Sequence, residues 1–319
     1  MNKTGLRLGL LVILIIASNL SCVNTPTAQS VRPSTGPDLS FTSTVEAPAS
    51  EKILLPSLTA TLQPPTATAT IQPTEISFKP LPDLFSQSTI TPLDIVQEMV
   101  GRIDKDRILT DLRRLTGEVP ICTDTGCYTI TDRLTGGEGL KWAKDYIYKE
   151  LTDVGYSVEF QDWSLEGKAD QNLIVRKPGI FFPGEEVYFV AHLDGAKKGA
   201  GSQFPAADDN ASGAVDILEL ARILSSYSFS RTMVLFFSTG EEQGALGVRS
   251  YLNKLTPEKL SSIRAVVNID MIGYDNDRDG VMELWSGDHP PSLALTNVMS
   301  NTIRAYQLNL IPRIVTGCD

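Results

Sequence analysis

Histidine is scarce in this chain, with two in 319 residues, and positive charge is short as well: 28 Lys and Arg against 38 Asp and Glu leave a formal net charge of −10. That balance argues against nucleic acid or an anionic membrane surface as a partner drawn by charge. The apolar run at residues 8–17 is too short to cross a bilayer comfortably, because a spanning helix needs ~20 apolar residues. The four cysteines are too few to staple a whole fold, so their positions matter more than their number. No internal repeat is visible. What remains is a chain with 42% hydrophobic residues, enough for one sizeable core.

The N-terminus, residues 1–22, places Lys3 and Arg7 before that apolar run and small residues after it, the layout of a secretory signal. Cys22 follows Ser21 at the expected cleavage point and resembles a bacterial lipobox, although Asn19 stands where an aliphatic residue is usual. Lipidation at Cys22 is the expectation, and simple cleavage of a soluble export signal is the alternative. Either way the chain is expected to be exported, as a cell-surface lipoprotein or a secreted protein. Residues 23–85 are rich in Ser, Thr, Pro and Ala without apolar periodicity, as in TATLQPPTATATIQPT. Such a segment cannot offset its ordering entropy by burial and is expected to be a disordered stalk. Export permits disulfides, so Cys122 and Cys127 in CTDTGC are expected to bridge. Cys318 is left free or with a mate beyond the sequence given.

From residue 86 onward the pattern changes. Residues 92–115 and 138–154 carry apolar residues at helical spacing, as do residues 210–226, where Ala214, Ile217, Leu218, Ala221 and Leu224 share a face. Between and after them stand short apolar runs: YSVEFQDWSL, NLIVRK, EEVYFVAHLDG, RTMVLFFSTG, RAVVNIDMIGY, VMELWSG and LNLIPRIVT, with a further helix over 291–307. This alternation predicts a three-layer α/β/α sandwich around a mostly parallel mixed sheet. In such sheets the ligand crevice lies outside the carboxyl ends of the strands.

The polar residues collect at those ends. VYFVAHLD closes on His192 and Asp194, VLFFSTGEE on Glu241 and Glu242, AVVNID on Asp270, and the helix near residue 210 is preceded by Asp208 and Asp209. Taken singly, each has a bland explanation. A strand-end histidine is usually structural, ADDNASG caps a helix well, EE suits the first turn of one, and NID reads as a turn. Four independent caps would not all fall on one rim. Several carboxylates in one crevice raise each other's pKa unless a cation neutralises them, and one His with several acids suits Zn²⁺ or a similar divalent ion.

The motifs AHLD, ADDNASG, TGEEQGALG and NIDMIG, in that order, resemble those of the co-catalytic zinc aminopeptidases, the M28 peptidases, and the likeness runs from about residue 115 to the end. The resemblance implies two Zn²⁺ ions per complete protein, with His192 and Asp270 on the first, Glu242 on the second and Asp209 bridging both. It implies that Asp194 orients the His192 ring, that Glu241 is the general base, and that the Asp209–Asn210 peptide is cis. Asp208 is left as a structural acid. The implied substrate is a peptide and the implied activity that of an exopeptidase, most naturally an aminopeptidase. A glutaminyl-cyclase-like acyltransferase or a carboxypeptidase on the same scaffold, or a non-catalytic surface module, are the alternatives. The family takes a further histidine for its second metal from a C-terminal motif. His289, in WSGDHPPS, reads as a turn residue rather than that ligand, and the final TGCD resembles the start of the missing segment. The expectation is therefore a chain truncated at its C-terminus, with the second site incomplete. Finally, DNDRDGVME begins like a calcium loop but has Ser286 where the twelfth-position Glu belongs, so an acidic hairpin turn is expected there.

Overall fold

The computed structural model describes residues 93–124, 126–196 and 204–317. The expectations for the signal, for Cys22, for the stalk over 23–85 and for Cys318 lie outside these residues.

The helical stretch expected over 92–115 is two helices, α1 (Asp94–Gly101) and α2 (Lys105–Leu115). The break has a local cause. The Asp104 carboxylate accepts the backbone N–H of Asp106 at 3.1 Å and of Arg107 at 3.0 Å, capping a new helix start. A small antiparallel pair follows, β1 (Ile121–Thr123) and β2 (Gly126–Tyr128), in which Cys122 faces Cys127 and is disulfide-bonded to it. The next helix, α3 (Glu138–Asp153), buries Leu140, Ala143, Ile147 and Leu151 along one face.

Five strands make the central sheet: β3 (Val158–Leu165), β4 (Lys168–Lys177), β5 (Phe182–His192), β6 (Arg231–Ser238) and β7 (Ile263–Asn268), in the order β3-β4-β6-β5-β7. β6 and β7 run parallel to β5, whereas β4 is antiparallel to both of its neighbours, so β4 alone runs against the other four. The sheet is thus mixed by pairing and mostly parallel by strand direction. Along β5 and β6 alternate residues face opposite sides. Val187, Phe189, Ala191, Met233, Leu235 and Phe237 join the core that includes Ile147 of α3 and Ile217 and Leu218 of α4 (Gly213–Leu224). Tyr188, Val234 and Phe236 face the other way, onto Tyr251 of α5 (Leu246–Leu252). Burial on both faces is why VLFF reads as an unbroken apolar run, and it makes the three layers.

After the short α6 (Pro257–Ser262) and β7, the chain forms β8 (Val281–Ser286), α7 (Pro290–Ala305) and β9 (Ile311–Thr316). β8 and β9 pair with each other, in parallel, as a separate two-stranded sheet rather than extending the central one. Leu284 of β8 and Leu295, Met299 and Ile303 of α7 still join the main core.

Candidate metal centre

Sheet register brings the site together. In the parallel β5–β6 pair His192 stands beside Ser238, three residues before Glu241. In the β5–β7 pair Val190 stands beside Asn268, and Ile269 N–H donates to Val190 O at 2.8 Å, so Asp270 leaves the sheet level with His192. The third contribution comes from a wide turn, Ala207–Ser212, ahead of α4. Asn210, fully buried, fastens it: Nδ2 donates to Ile269 O at 2.9 Å and Oδ1 accepts from Gly213 N–H at 2.9 Å. Gly213 is required because a Cβ there would lie 2.3 Å from Ile269 O. The Asp209–Asn210 peptide inside this turn is cis.

The resulting cluster is compact. His192 Nε2 lies 3.1 Å from Asp209 Oδ1, 3.5 Å from Asp270 Oδ1 and 3.9 Å from Glu241 Oε2. Ligand atoms of His192, Asp209 and Asp270 all fall within 4.8 Å of one another. His192 is buried, whereas Asp209 and Glu241 are part-exposed and Asp270 is exposed, so the cluster opens to solvent on the side of its carboxylates.

Glu241 and Glu242 open a single 3₁₀ turn, Glu241–Gln243, entered through Gly240 at φ +74°, a left-handed conformation that favours glycine. The turn hangs on Asp194. One carboxylate oxygen of this fully buried residue accepts Glu241 N–H and the other accepts Glu242 N–H, both at 3.2 Å. Asp194, expected to orient His192, also stands on the Nδ1 side of that ring. The ring nitrogen His192 Nδ1 lies 3.1 Å from the Asp194 backbone carbonyl and 3.7 Å from its carboxylate, while that carboxylate also holds the Glu241–Glu242 turn. Thr135 Oγ1 donates a further bond to Asp194 Oδ2 at 3.2 Å.

The remaining predicted residues stand apart from the three-residue cluster. Glu242 Oε1 accepts Ala196 N–H at 2.8 Å. Asp208 Oδ1 accepts Gly273 N–H at 2.7 Å, a structural bond. His289 is exposed at the N-terminal boundary of α7, outside the cluster. Asp275, Asp277 and Asp279 gather in the loop between β7 and β8 and accept the backbone N–H groups of Gly280, Asp279 and Val281. Because β7 and β8 are not paired with each other, this loop is not the hairpin expected. A cavity of about 320 Å³, lined in part by Gly117, Ile130, Pro205 and Ala207, has none of the cluster's ligand residues in its wall.

Charge at the rim is unbalanced in one direction. Burial lowers the affinity of His192 for a proton, yet hydrogen bonds and charge from Asp194 and Asp270 outweigh it and push the imidazole up to about 10. Glu241 is raised by burial first and by neighbouring acids, against the pull of His192. Glu242 and Asp208 are likewise raised, burial again leading. An imidazole nitrogen with carboxylate oxygens is a donor set that fits zinc.

The sequence reading passed over residues that build the rim: Asn210, Thr135 and above all Arg133, whose side chain is fully buried. Polar residues in a loop ordinarily face water, and nothing in their local pattern distinguishes these three.

Fold and site define a class first: an α/β/α scaffold of the zinc-exopeptidase kind, with acids and a histidine at its carboxyl rim. The model of peptidase family M28 matches residues 172–312, a stretch that holds every one of these acids and the histidine. Aminopeptidase Y of Saccharomyces cerevisiae is 28% identical over 183 residues, 56% of this chain and 33% of that protein. The chain spans less than half the length of the curated relatives it matches first. Among solved structures, the LapA aminopeptidase of Legionella pneumophila superposes with a TM-score of 0.56 at 20% identity, over 78% of this chain and 62% of that one. A glutaminyl cyclase of Macrostomum lignano gives 0.54 at 17% identity, over 73% and 77%. At these identities the two structures speak to the fold alone.

Proposed function

We propose that the chain is a zinc-dependent exopeptidase, and specifically an aminopeptidase. The observation that carries this reading is the grouping of His192, Asp209 and Asp270 with the Glu241 carboxylate 3.9 Å from the same imidazole nitrogen. His192, Asp209 and Asp270 would hold a zinc, and Glu242 would be available to a second. When bound, the metal supplies Lewis acidity to the scissile carbonyl and to a water molecule. Glu241 takes the proton of the attacking water and returns it to the amide nitrogen that leaves as an amine. Its raised proton affinity brings a carboxylate closer to what that exchange needs at neutral pH. Asp194 keeps Glu241 at its post through the backbone rather than touching substrate. The surplus of acids on this rim attracts the free α-ammonium of a peptide, which favours attack at the amino end. Acyl transfer of the glutaminyl-cyclase kind is the rival, since that fold serves both chemistries.

In the full-length protein, Glu241→Gln is expected to lower peptide hydrolysis by about 10²–10⁴-fold with metal content unchanged. Parallel loss of metal would sink the general-base role. A panel of free and N-blocked peptides, with an N-terminal glutaminyl peptide included, separates the rivals. Cleavage of the free peptides alone supports the aminopeptidase, and release of pyroglutamyl product without hydrolysis supports the cyclase.

Export and anchoring belong to the same proposal. Cys22 carries a lipid, and residues 23–85 hold the catalytic domain away from the membrane. The Cys122–Cys127 bridge supports an oxidising compartment. Cys22→Ala should move the protein from the detergent-rich to the aqueous phase on partitioning, and an unchanged distribution would refute the anchor.

A further inference from the structure

Arg133, in the loop between β2 and α3, is fully buried, and among the described residues no carboxylate lies within ion-pair distance of its guanidinium. Its N–H groups go instead to four main-chain carbonyls. Nε donates to Leu193 O at 2.7 Å, Nη1 to Leu115 O and Pro205 O at 2.7 Å each, and Nη2 to Ala206 O at 2.9 Å. Its own carbonyl accepts Gly195 N–H at 3.0 Å. These partners lie on three segments, one of them the end of α2 at Leu115. Leu193 and Gly195 flank Asp194 and follow His192, while Pro205 and Ala206 lead into the turn that carries Asp209. Ala206, at φ +47°, is held in the left-handed region, and its carbonyl also accepts Ala211 N–H at 3.1 Å. Removing a charged side chain from water is costly, and an arginine that meets no acid in the interior recovers that cost only through what its fork organises.

We infer that Arg133 is the positioning residue of this centre: its guanidinium ties the strand end bearing His192 and Asp194 to the turn bearing Asp209, and its fixed charge beneath the rim keeps the acids together before any metal arrives. The inference rests on the peptidase reading for the identity of the metal, though not for the geometry. Burial lowers the Arg133 pKa to about 10, while charge from Asp194, Asp209 and Glu242 pulls the other way, so the group stays cationic at neutral pH. Lysine keeps the charge but offers donors from a single nitrogen, which cannot meet carbonyls on three chain segments, and the orphaned carbonyls stay buried.

Metal-stripped full-length protein tests this by zinc competition with a chelator. Arg133→Lys is expected to weaken zinc binding by about 10–100-fold, the range for partners that orient ligands. Arg222→Met, which breaks a buried ion pair away from the rim, should lower the melting temperature while leaving zinc affinity within about twofold. In the wild type, hydrogen exchange of the Gly195 and Ala211 amides should already be slow without zinc and change little when zinc is added. That measurement stands whether or not Arg133→Lys folds. Wild-type affinity in Arg133→Lys, or amides that exchange freely until zinc is bound, would overturn the inference. A wild-type chain that takes up no zinc overturns the peptidase reading instead, and the amide protection then still judges the grip of Arg133 on the two segments.

Discussion

Two regions of this domain bury charge, and they do so in opposite ways. Between α2, α3 and α4, the acids Asp111, Glu150 and Glu219 are paired with two arginines. Arg222 meets Asp111 at 2.5 Å and Glu150 at 2.7 Å, and Arg107 meets Glu219 at 2.6 Å. At the carboxyl rim, Asp194, Asp209, Glu241 and Asp270 gather around one histidine, and the buried arginine beside them gives its hydrogen bonds to carbonyls. The ion pairs of the first region are complete by themselves and serve packing. In the second the carboxyls of Glu241 and Glu242 are raised, burial leading, and nearby acids draw the imidazole toward protonation. The difference marks the rim as the candidate place for an external cation.

Breaking the rim should have the largest functional effect. His192→Ala is expected to lose most bound zinc and, with it, peptide hydrolysis, as measured by metal analysis of the purified protein; unchanged zinc content would remove His192 from the ligand set. Breaking the self-contained network should instead cost stability. Arg222→Met leaves Asp111 and Glu150 without their buried partner, which is expected to cost about 3–5 kcal/mol in denaturant unfolding, and a cost near zero would show that the pairs are solvated. A smaller effect is expected from Thr135→Val, which removes one bond to Asp194: about 1 kcal/mol of stability, and a lower kcat with KM nearly kept, since Glu241 loses part of its support. Equal changes in both constants would contradict that placement.

The smallest effect sharpens the comparison by pH. Asp216, on α4 beside Glu219, is fully buried with Oδ2 unpartnered, and burial first, then the charge of Glu219, raises its pKa to about 7. A carboxyl raised in the folded state favours folding below its unfolded pKa of 3.8, and that contribution is lost as pH rises through 7. Asp216→Asn should therefore raise the melting temperature at pH 8 by about a few degrees and bring little gain near pH 4. A gain of equal size at both pH values would mean that ionisation is not the cause.

The sequence disclosed the rim because strands buried on both faces are unbroken apolar runs, and a polar residue at the end of such a run stands out. His192, Glu241, Glu242 and Asp270 were legible for that reason, and Asp209 by its place ahead of an amphipathic helix. The resemblance to M28 peptidases then gave each a role. What stayed hidden depends on contacts between distant segments. Arg133, Thr135 and Asn210 sit in polar stretches that look solvent-facing until the loop before α3 closes on the end of β5. The hold of Asp194 on the Glu241–Gln243 turn was hidden for the same reason, since only the folded chain brings that turn onto its carboxylate. The separation of β8 and β9 from the central sheet was likewise unreadable, because short strands carry no local mark of their partner.

The central claim, that the acidic rim is assembled around a divalent cation, is tested most directly by titrating metal-stripped full-length protein with zinc and following its melting temperature. A ligand bound only by the folded state stabilises by about 2.7 kcal/mol at a hundredfold excess over Kd. The account predicts that the melting temperature rises with zinc in the wild type and stays flat in His192→Ala. A wild-type melting temperature indifferent to zinc, or an equal rise in His192→Ala, would contradict it.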